Sequence, residues 1–179
     1  ITQVDDLPVT KDNYSEAVDK VSGEEGTTVT LIVRRGAEDL APLSVTRKRI
    51  DLTTVTYKMI ADNVGYIAIT GFKSNTVSQF NTALDAVMSQ GAEGLVFDVR
   101  NNPGGTVSSV AKIVDRLVPE GPIVSATYKD GTTEILATSD ATEINLPMVV
   151  ITNKDTASAA ELFTQALKDY NKAVSVGDK

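Results

Sequence analysis

Two short segments hold residue types that could do chemistry together. The first is Thr156-Ala157-Ser158-Ala159-Ala160-Glu161, which follows the apolar run Leu146-Pro147-Met148-Val149-Val150-Ile151 and opens an amphipathic helix. A serine at a strand-to-helix turn has an exposed hydroxyl beside free helix N–H groups, which is what nucleophilic acyl chemistry needs. The second is Asn101-Asn102-Pro103-Gly104-Gly105, behind the apolar run Gly94-Leu95-Val96-Phe97-Asp98-Val99. Paired glycines at a helix start allow close backbone approach and turn amides outward, a cradle for an anion or an oxyanion. Each segment has a plainer reading too. Ser158 and Glu161 match the S-x-x-E capping box, and Asn-Pro-Gly makes a turn whatever its use. A phosphate loop is disfavoured because no Gly-Lys-Ser/Thr follows the glycines. Asp98 and Arg100 flank the same strand end and read as an ion pair or loop anchor.

Composition restricts the chemistry. The chain has neither histidine nor cysteine. A Ser-His-Asp triad, thiolate catalysis and disulfides are excluded, and a zinc site is disfavoured. Lysine is the usual alternative base for a serine, yet Lys168 and Lys172 are expected to belong to the helix leading away from Ser158. The net charge of −7 argues against nucleic-acid binding. The basic clusters Arg34-Arg35 and Arg47-Lys48-Arg49 read as solvated faces. No motif calls for a metal or cofactor. No apolar run reaches the ~18 residues of a membrane span. The chain opens on a strand-like Ile-Thr-Gln-Val without methionine and reads as a mature or excised piece.

The elements that position these segments alternate. Residues 1–50 read as a small α/β unit, in which Tyr14, Ala17, Val18 and Val21 recur at helical spacing. β-Branched strands are expected at residues 27–35 and 43–49. One helix and three strands make a thin core, so part of this unit is expected to precede Ile1. Residues 51–62 read as a connector with some strand character. From Gly65 the pattern becomes strand, helix, strand, with strands at 66–70, 94–99, 147–152 and from 173. Helical stripes run through Val77, Phe80, Leu84, Val87 and Met88, through Val107, Val110, Val114 and Leu117, and through Leu162, Phe163, Ala166, Leu167 and Tyr170. The first stripe opens on a capping-box pair, Thr76 and Gln79. The continuous apolar run 94–99 predicts a strand covered on both faces. Residues 123–128 and 133–138 predict a hairpin across Lys129-Asp130-Gly131. This alternation predicts an α/β layered core, with both chemical segments at strand C-terminal ends, where catalytic groups collect.

In this order the motifs resemble the carboxyl-terminal processing peptidases, or tail-specific proteases. The segments that carry the resemblance are Gly65-Tyr66-Ile67-Ala68-Ile69, the run from Phe97 to Gly105, residues 149–167 with TASAAELFTQAL, and the ending Asp169-Tyr170 with Val176-Gly177-Asp178. Residues 1–50 resemble the second half of the PDZ domain that precedes the catalytic core in that family, leaving 51–179 as the core. The resemblance implies a Clp-protease/crotonase-like fold and a serine endopeptidase with a Ser-Lys dyad. It maps the nucleophile to Ser158, and the oxyanion amides to Ala159 and the pair Gly104 and Gly105, with Gly105 preferred. It maps a supporting acid to Asp169. The family pattern often reads S-A-S-A-S-E, and this chain has Thr156 and Ala160 at the outer positions.

The resemblance further implies a base lysine in a Phe-Gly-Lys-Gly segment. Lys179 matches the residue before that segment, so these residues alone are expected to be inactive. The implied substrates are polypeptides with apolar C-termini, with Tyr14 and Val18 as one wall of the groove that holds the tail. The implied location is the cell envelope or extracellular side, and self-association is left open. Two other readings compete: a non-catalytic scaffold of the same fold, and a crotonase-type acyl-CoA enzyme, which would need neither Ser158 nor a PDZ-like segment.

Overall fold

The computed structural model describes residues 1–48, 52–60 and 63–177. The chain folds as two compact units, Ile1–Asp51 and Leu52–Lys179.

In the first unit β1 (Gln3–Val4), β2 (Leu7–Pro8), α1 (Tyr14–Val21) and β3 (Thr28–Ile32) are followed by β4 (Arg34–Arg35), β5 (Glu38–Asp39) and β6 (Leu43–Thr46). An antiparallel sheet runs β2-β1-β3-β6. The single strand expected over 27–35 is broken: β4 turns away and pairs only with β5, where Arg34 clasps Asp39 at 2.9 Å. The core here is small, with Val4, Ala17 and Val29 at its centre. Arg47 is not the solvated residue its cluster suggested. Its guanidinium donates to the carbonyls of Lys20, Val21 and Thr28, tying the end of α1 to β3. Arg49 lies outside the described residues.

The second unit is built on one sheet. Its elements are β7 (Val55–Ile60), β8 (Val64–Ile69), α2 (Thr76–Ser89), β9 (Gly94–Asp98), α3 (Val107–Asp115), β10 (Gly121–Thr127), β11 (Thr133–Ser139), β12 (Met148–Thr152), α4 (Ala159–Asp169) and β13 (Ala173–Gly177). The strand order is β13-β12-β9-β8-β7. β8, β9, β12 and β13 are parallel, and β7 is an antiparallel edge. Within the expected connector, Val55–Ile60 is therefore an edge strand. Its alternation was hard to read because three consecutive residues, Thr56, Tyr57 and Lys58, are exposed. β10 and β11 form the expected hairpin.

Alternate residues of the parallel strands point into the core, among them Ile67 and Ile69 of β8, Leu95 and Phe97 of β9, and Val150 of β12. Their neighbours Tyr66, Val96 and Val149 are only half-buried, so β9 is closed on one face rather than both. Four rings run through this core: Phe80 meets Phe97 at 5.9 Å, Phe97 meets Phe163 edge-on at 5.5 Å, and Phe163 meets Phe72 at 5.8 Å. They join α2, β9, α4 and the loop after β8. Thr76 and Gln79 form no capping box. Thr76 Oγ1 donates to the Gly71 carbonyl, and Gln79 Oε1 accepts from the N–H groups of Thr54 and Val55, anchoring the start of β7.

Candidate active site

Parallel strands deliver their C-terminal ends to one edge, and there the loops after β9 and β12 meet. Ser158 is the residue before the first turn of α4. Its backbone has φ +55° and ψ −119°, a region that a residue with a Cβ rarely occupies. Such a conformation costs on the order of 1–3 kcal/mol and persists only where its surroundings fix it. Those surroundings are visible. The Glu161 carboxylate accepts the Ser158 N–H at 2.5 Å, and the Ser158 carbonyl accepts from Glu161 at 2.9 Å and Leu162 at 3.1 Å. Ser158 and Glu161 stand as a capping box, but a lopsided one. Glu161 N–H bonds the Ser158 carbonyl, and the Ser158 hydroxyl takes no cap hydrogen bond. The hydroxyl donates to no acceptor among the described residues, and the residue is exposed.

Small residues around it have physical reasons. Ala159 and Ala160 are buried, at 3% and 0% exposure, so neither tolerates a larger side chain. Thr156 Oγ1 donates to the Val99 carbonyl at 2.8 Å and accepts from Asn153 N–H at 3.0 Å. Its hydroxyl thus pins the loop after β12 to the end of β9.

The glycine loop lies against this turn. A Cβ on Gly104, whose φ is +99°, would come within 2.9 Å of Ser158 Cβ, Ala159 N and the Ala157 carbonyl. Gly105, at φ +149°, lies against Phe72; a Cβ there would collide with the Phe72 carbonyl at 2.0 Å. Phe72 N–H donates to the Gly104 carbonyl, and Thr106 N–H to the Phe72 carbonyl, each at 2.8 Å. In that parallel bridge the N–H of Gly105 points away from Phe72. The Gly104 N–H is engaged internally by Asn102 Oδ1 at 2.8 Å. Neither Gly105 N–H nor Ala159 N–H donates to an acceptor among the described residues. Two unengaged amides thus flank the Ser158 turn.

Of the other residues singled out, Asp169 is at the far end of α4, ~16 Å along the helix from Ser158 by its rise. Its carboxylate accepts from Gln165 at 2.5 Å. The structure does not bring it to the hydroxyl. Tyr14 and Val18 lie in the first unit, exposed by 65% and 46%, beside an apolar groove of about 290 Å³ that Val4, Val9 and Ala17 also line. Lys179 lies outside the described residues. Among the described residues no acidic cluster is arranged to hold a metal ion, and no helix is long and apolar enough to cross a membrane.

Asp98 and Arg100 form the ion pair their spacing suggested, with Arg100 Nε 2.9 Å and Nη2 2.5 Å from the carboxylate, and Tyr66 adds a hydrogen bond at 2.6 Å. Burial pushes the Asp98 carboxyl up, but the bonds from Arg100 and Tyr66 outweigh it and hold the group below the usual carboxylate range. A lowered folded-state value means that the stabilisation is present above the ordinary carboxylate pKa and is lost as pH falls through the folded one. Asp98→Asn is therefore expected to cost about 2 kcal/mol at pH 7. Urea melts should show that gap closing below about pH 4. A gap unchanged down to strongly acid pH would rule the ion pair out as its source.

Sequence comparison agrees with the geometry. The profile of Peptidase family S41 matches residues 63–179, and the chain belongs to that family. It is 32% identical over 167 residues to the carboxy-terminal processing protease CtpA of Bacillus subtilis (strain 168), covering 93% of this chain and 36% of that protein. It is 35% identical over 184 residues to a probable CtpA-like serine protease of Staphylococcus aureus (strain bovine RF122 / ET3-1), covering all of this chain and 36% of the relative. Among solved structures it resembles the photosystem II D1 C-terminal processing protease, with a TM-score of 0.64 and 26% identity over 98% of this chain and 50% of that one. The chain thus spans about a third of the length of the curated relatives it matches.

Most of this site could be read in the sequence. Asn102 and the Asn101–Asn153 pair could not. Asparagines beside proline and glycine look like turn formers, and only the fold shows which carbonyls and amides they reach.

Proposed function

We propose that the protein is a serine endopeptidase that trims polypeptides near their C-termini, with Ser158 as nucleophile. One observation carries this reading: Ser158 is held in a costly conformation, its hydroxyl donates to no acceptor among the described residues, and two amides unengaged among those residues flank it. A cap alone would leave the backbone relaxed.

In this reading the Ser158 hydroxyl attacks the scissile carbonyl, and its proton passes to a neutral lysine outside the described residues. The oxyanion of the tetrahedral intermediate takes hydrogen bonds from Ala159 N–H and Gly105 N–H, preorganised donors of the kind that usually supply the largest single stabilisation. Gly104 lets the two loops approach, and Glu161 fixes the turn. Collapse of the intermediate expels the amine, which takes the proton from the lysine, and water then hydrolyses the acyl-enzyme by the same route in reverse.

The tail-processing part rests on the activity for which the relatives are named and on the first unit. Residues 1–50 supply part of a PDZ-like module, whose apolar groove beside Tyr14 and Val18 would hold an aliphatic or aromatic side chain of the tail. By its resemblance to the family the protein would act at the cell envelope or extracellular side. The test compares hydrolysis of one unfolded protein bearing an apolar C-terminus with that of the same protein ending in two aspartates, using the full-length enzyme. The apolar tail should be cut at least ~10-fold faster, the discrimination expected of one well-filled apolar pocket. Equal rates would remove tail recognition, and no hydrolysis of either would favour the scaffold reading.

A further inference from the structure

We infer that Asn102 is a positioning residue for hydrolysis: it sets the distance between the two oxyanion amides by bonding both loops that carry them. The inference rests on the nucleophile assignment of Ser158 and goes beyond it. Asn102 is fully buried, at 0% exposure. Its side-chain Nδ2 donates to the Ile69 carbonyl at the end of β8 at 2.9 Å, and its Oδ1 accepts Gly104 N–H at 2.8 Å. Its own carbonyl accepts Ala157 N–H at 3.0 Å. One residue therefore grips the rigid sheet, the glycine loop and the nucleophile turn.

The bonds select which amides stay free. In the glycine loop Gly104 N–H goes to Asn102 and Thr106 N–H goes to Phe72, which leaves Gly105 N–H alone between them. In the turn Ala157 N–H goes to Asn102, Ser158 N–H to Glu161 and Ala160 N–H to the Ala157 carbonyl, which leaves Ala159 N–H. Without the Oδ1 acceptor, nothing inside the loop takes Gly104 N–H. The Pro103–Gly104 peptide would then be free to turn, and the loop, still bonded to Phe72, could shift against the Ser158 turn, because glycine has no strong preference among its backbone regions. Asn101 and Asn153 brace the same two loops from outside, with reciprocal bonds of 2.9 and 2.8 Å, so Asn102 governs the spacing of the two amides more than mere attachment.

An oxyanion hole works only if its donors lie at hydrogen-bond distance from the oxyanion and not merely near it. A misplacement of about 1 Å can cost ~10²-fold in rate. That is the loss of kcat expected for Asn102→Ala, with KM little changed, because the amides act on the transition state rather than on the bound substrate. The experiment uses the full-length protein and two readouts. One is kcat and KM on a peptide. The other is the ratio of inhibition by a peptide aldehyde, whose adduct with Ser158 places an oxyanion in the hole, to inhibition by the matching peptide alcohol, which forms no adduct. Asn102→Ala should weaken the aldehyde ~10²-fold and leave the alcohol within about twofold.

Asn102→Asp, isosteric and still able to accept Gly104 N–H, should lose stability but keep the aldehyde-to-alcohol ratio, which does not depend on the folded fraction. It also serves where Asn102→Ala does not fold. A melting-temperature loss with kcat and the inhibitor ratio intact in Asn102→Ala, or a ratio collapsed in Asn102→Asp, would overturn the positioning role. Absence of aldehyde binding in the unmodified protein would instead overturn the nucleophile assignment beneath it.

Discussion

Ser158→Ala is expected to lower peptide hydrolysis on the order of 10⁶-fold, the scale seen when the nucleophile of a serine protease is removed alone. The fold should survive. An ordinary N-cap loss costs ~1 kcal/mol, and the Glu161 half of the capping box, which takes Ser158 N–H, is kept in the variant. Ser158→Gly separates function from stability more sharply. Glycine tolerates φ +55° and ψ −119° where serine is strained, so this variant should be equally inactive and yet more stable. The gain expected is ~1 kcal/mol, a few degrees in melting temperature for a domain of this size. The pair of measurements is thermal melting beside turnover of a single unfolded substrate. Full activity in folded Ser158→Ala protein would sink the nucleophile assignment. A Ser158→Gly variant no more stable than the parent would show that the turn is not strained, and would return Ser158 to an ordinary cap.

How much of this was legible depends on whether the signal is local. The strand-turn-helix around Ser158 is written in consecutive residues: an apolar run, small residues, then an amphipathic period. Gly104 and Gly105 announce a close approach, and Asp98 and Arg100 a pair, for the same reason. What the sequence hid is non-local. Gln79 looks like the far half of a cap on its own helix, but it is used by the backbone of Thr54 and Val55, which the fold brings alongside. β7 lacked a clear period because an edge strand needs to bury only part of one face. Asn102 carries no apolar signature at all; its importance arises when β8, the glycine loop and the nucleophile turn converge on it.

The base is the remaining step, and the described residues hold no candidate bonded to the Ser158 hydroxyl. Lys172 is engaged by Glu143 and by the Ile144 carbonyl, Lys154 pairs with Asp155, and Lys168 lies in the last turn of α4. A lysine serving as base must be neutral, which requires burial to lower its pKa. β13 runs parallel to β12, with Gly177 opposite Thr152, so β13 ends at the same sheet edge as the strand that leads into the loop bearing Ser158. In the family that the chain resembles, the Phe-Gly-Lys-Gly segment is expected to follow this strand in sequence. The 179-residue chain alone is therefore expected to hydrolyse its substrate at least ~10²–10⁴-fold more slowly than a longer form with the native sequence beyond Lys179, the usual worth of general-base assistance. Changing the lysine of that segment to alanine should bring the longer form down to the shorter one. Equal hydrolysis by both forms, abolished in each by Ser158→Ala, would place the base within these residues and end the dyad reading.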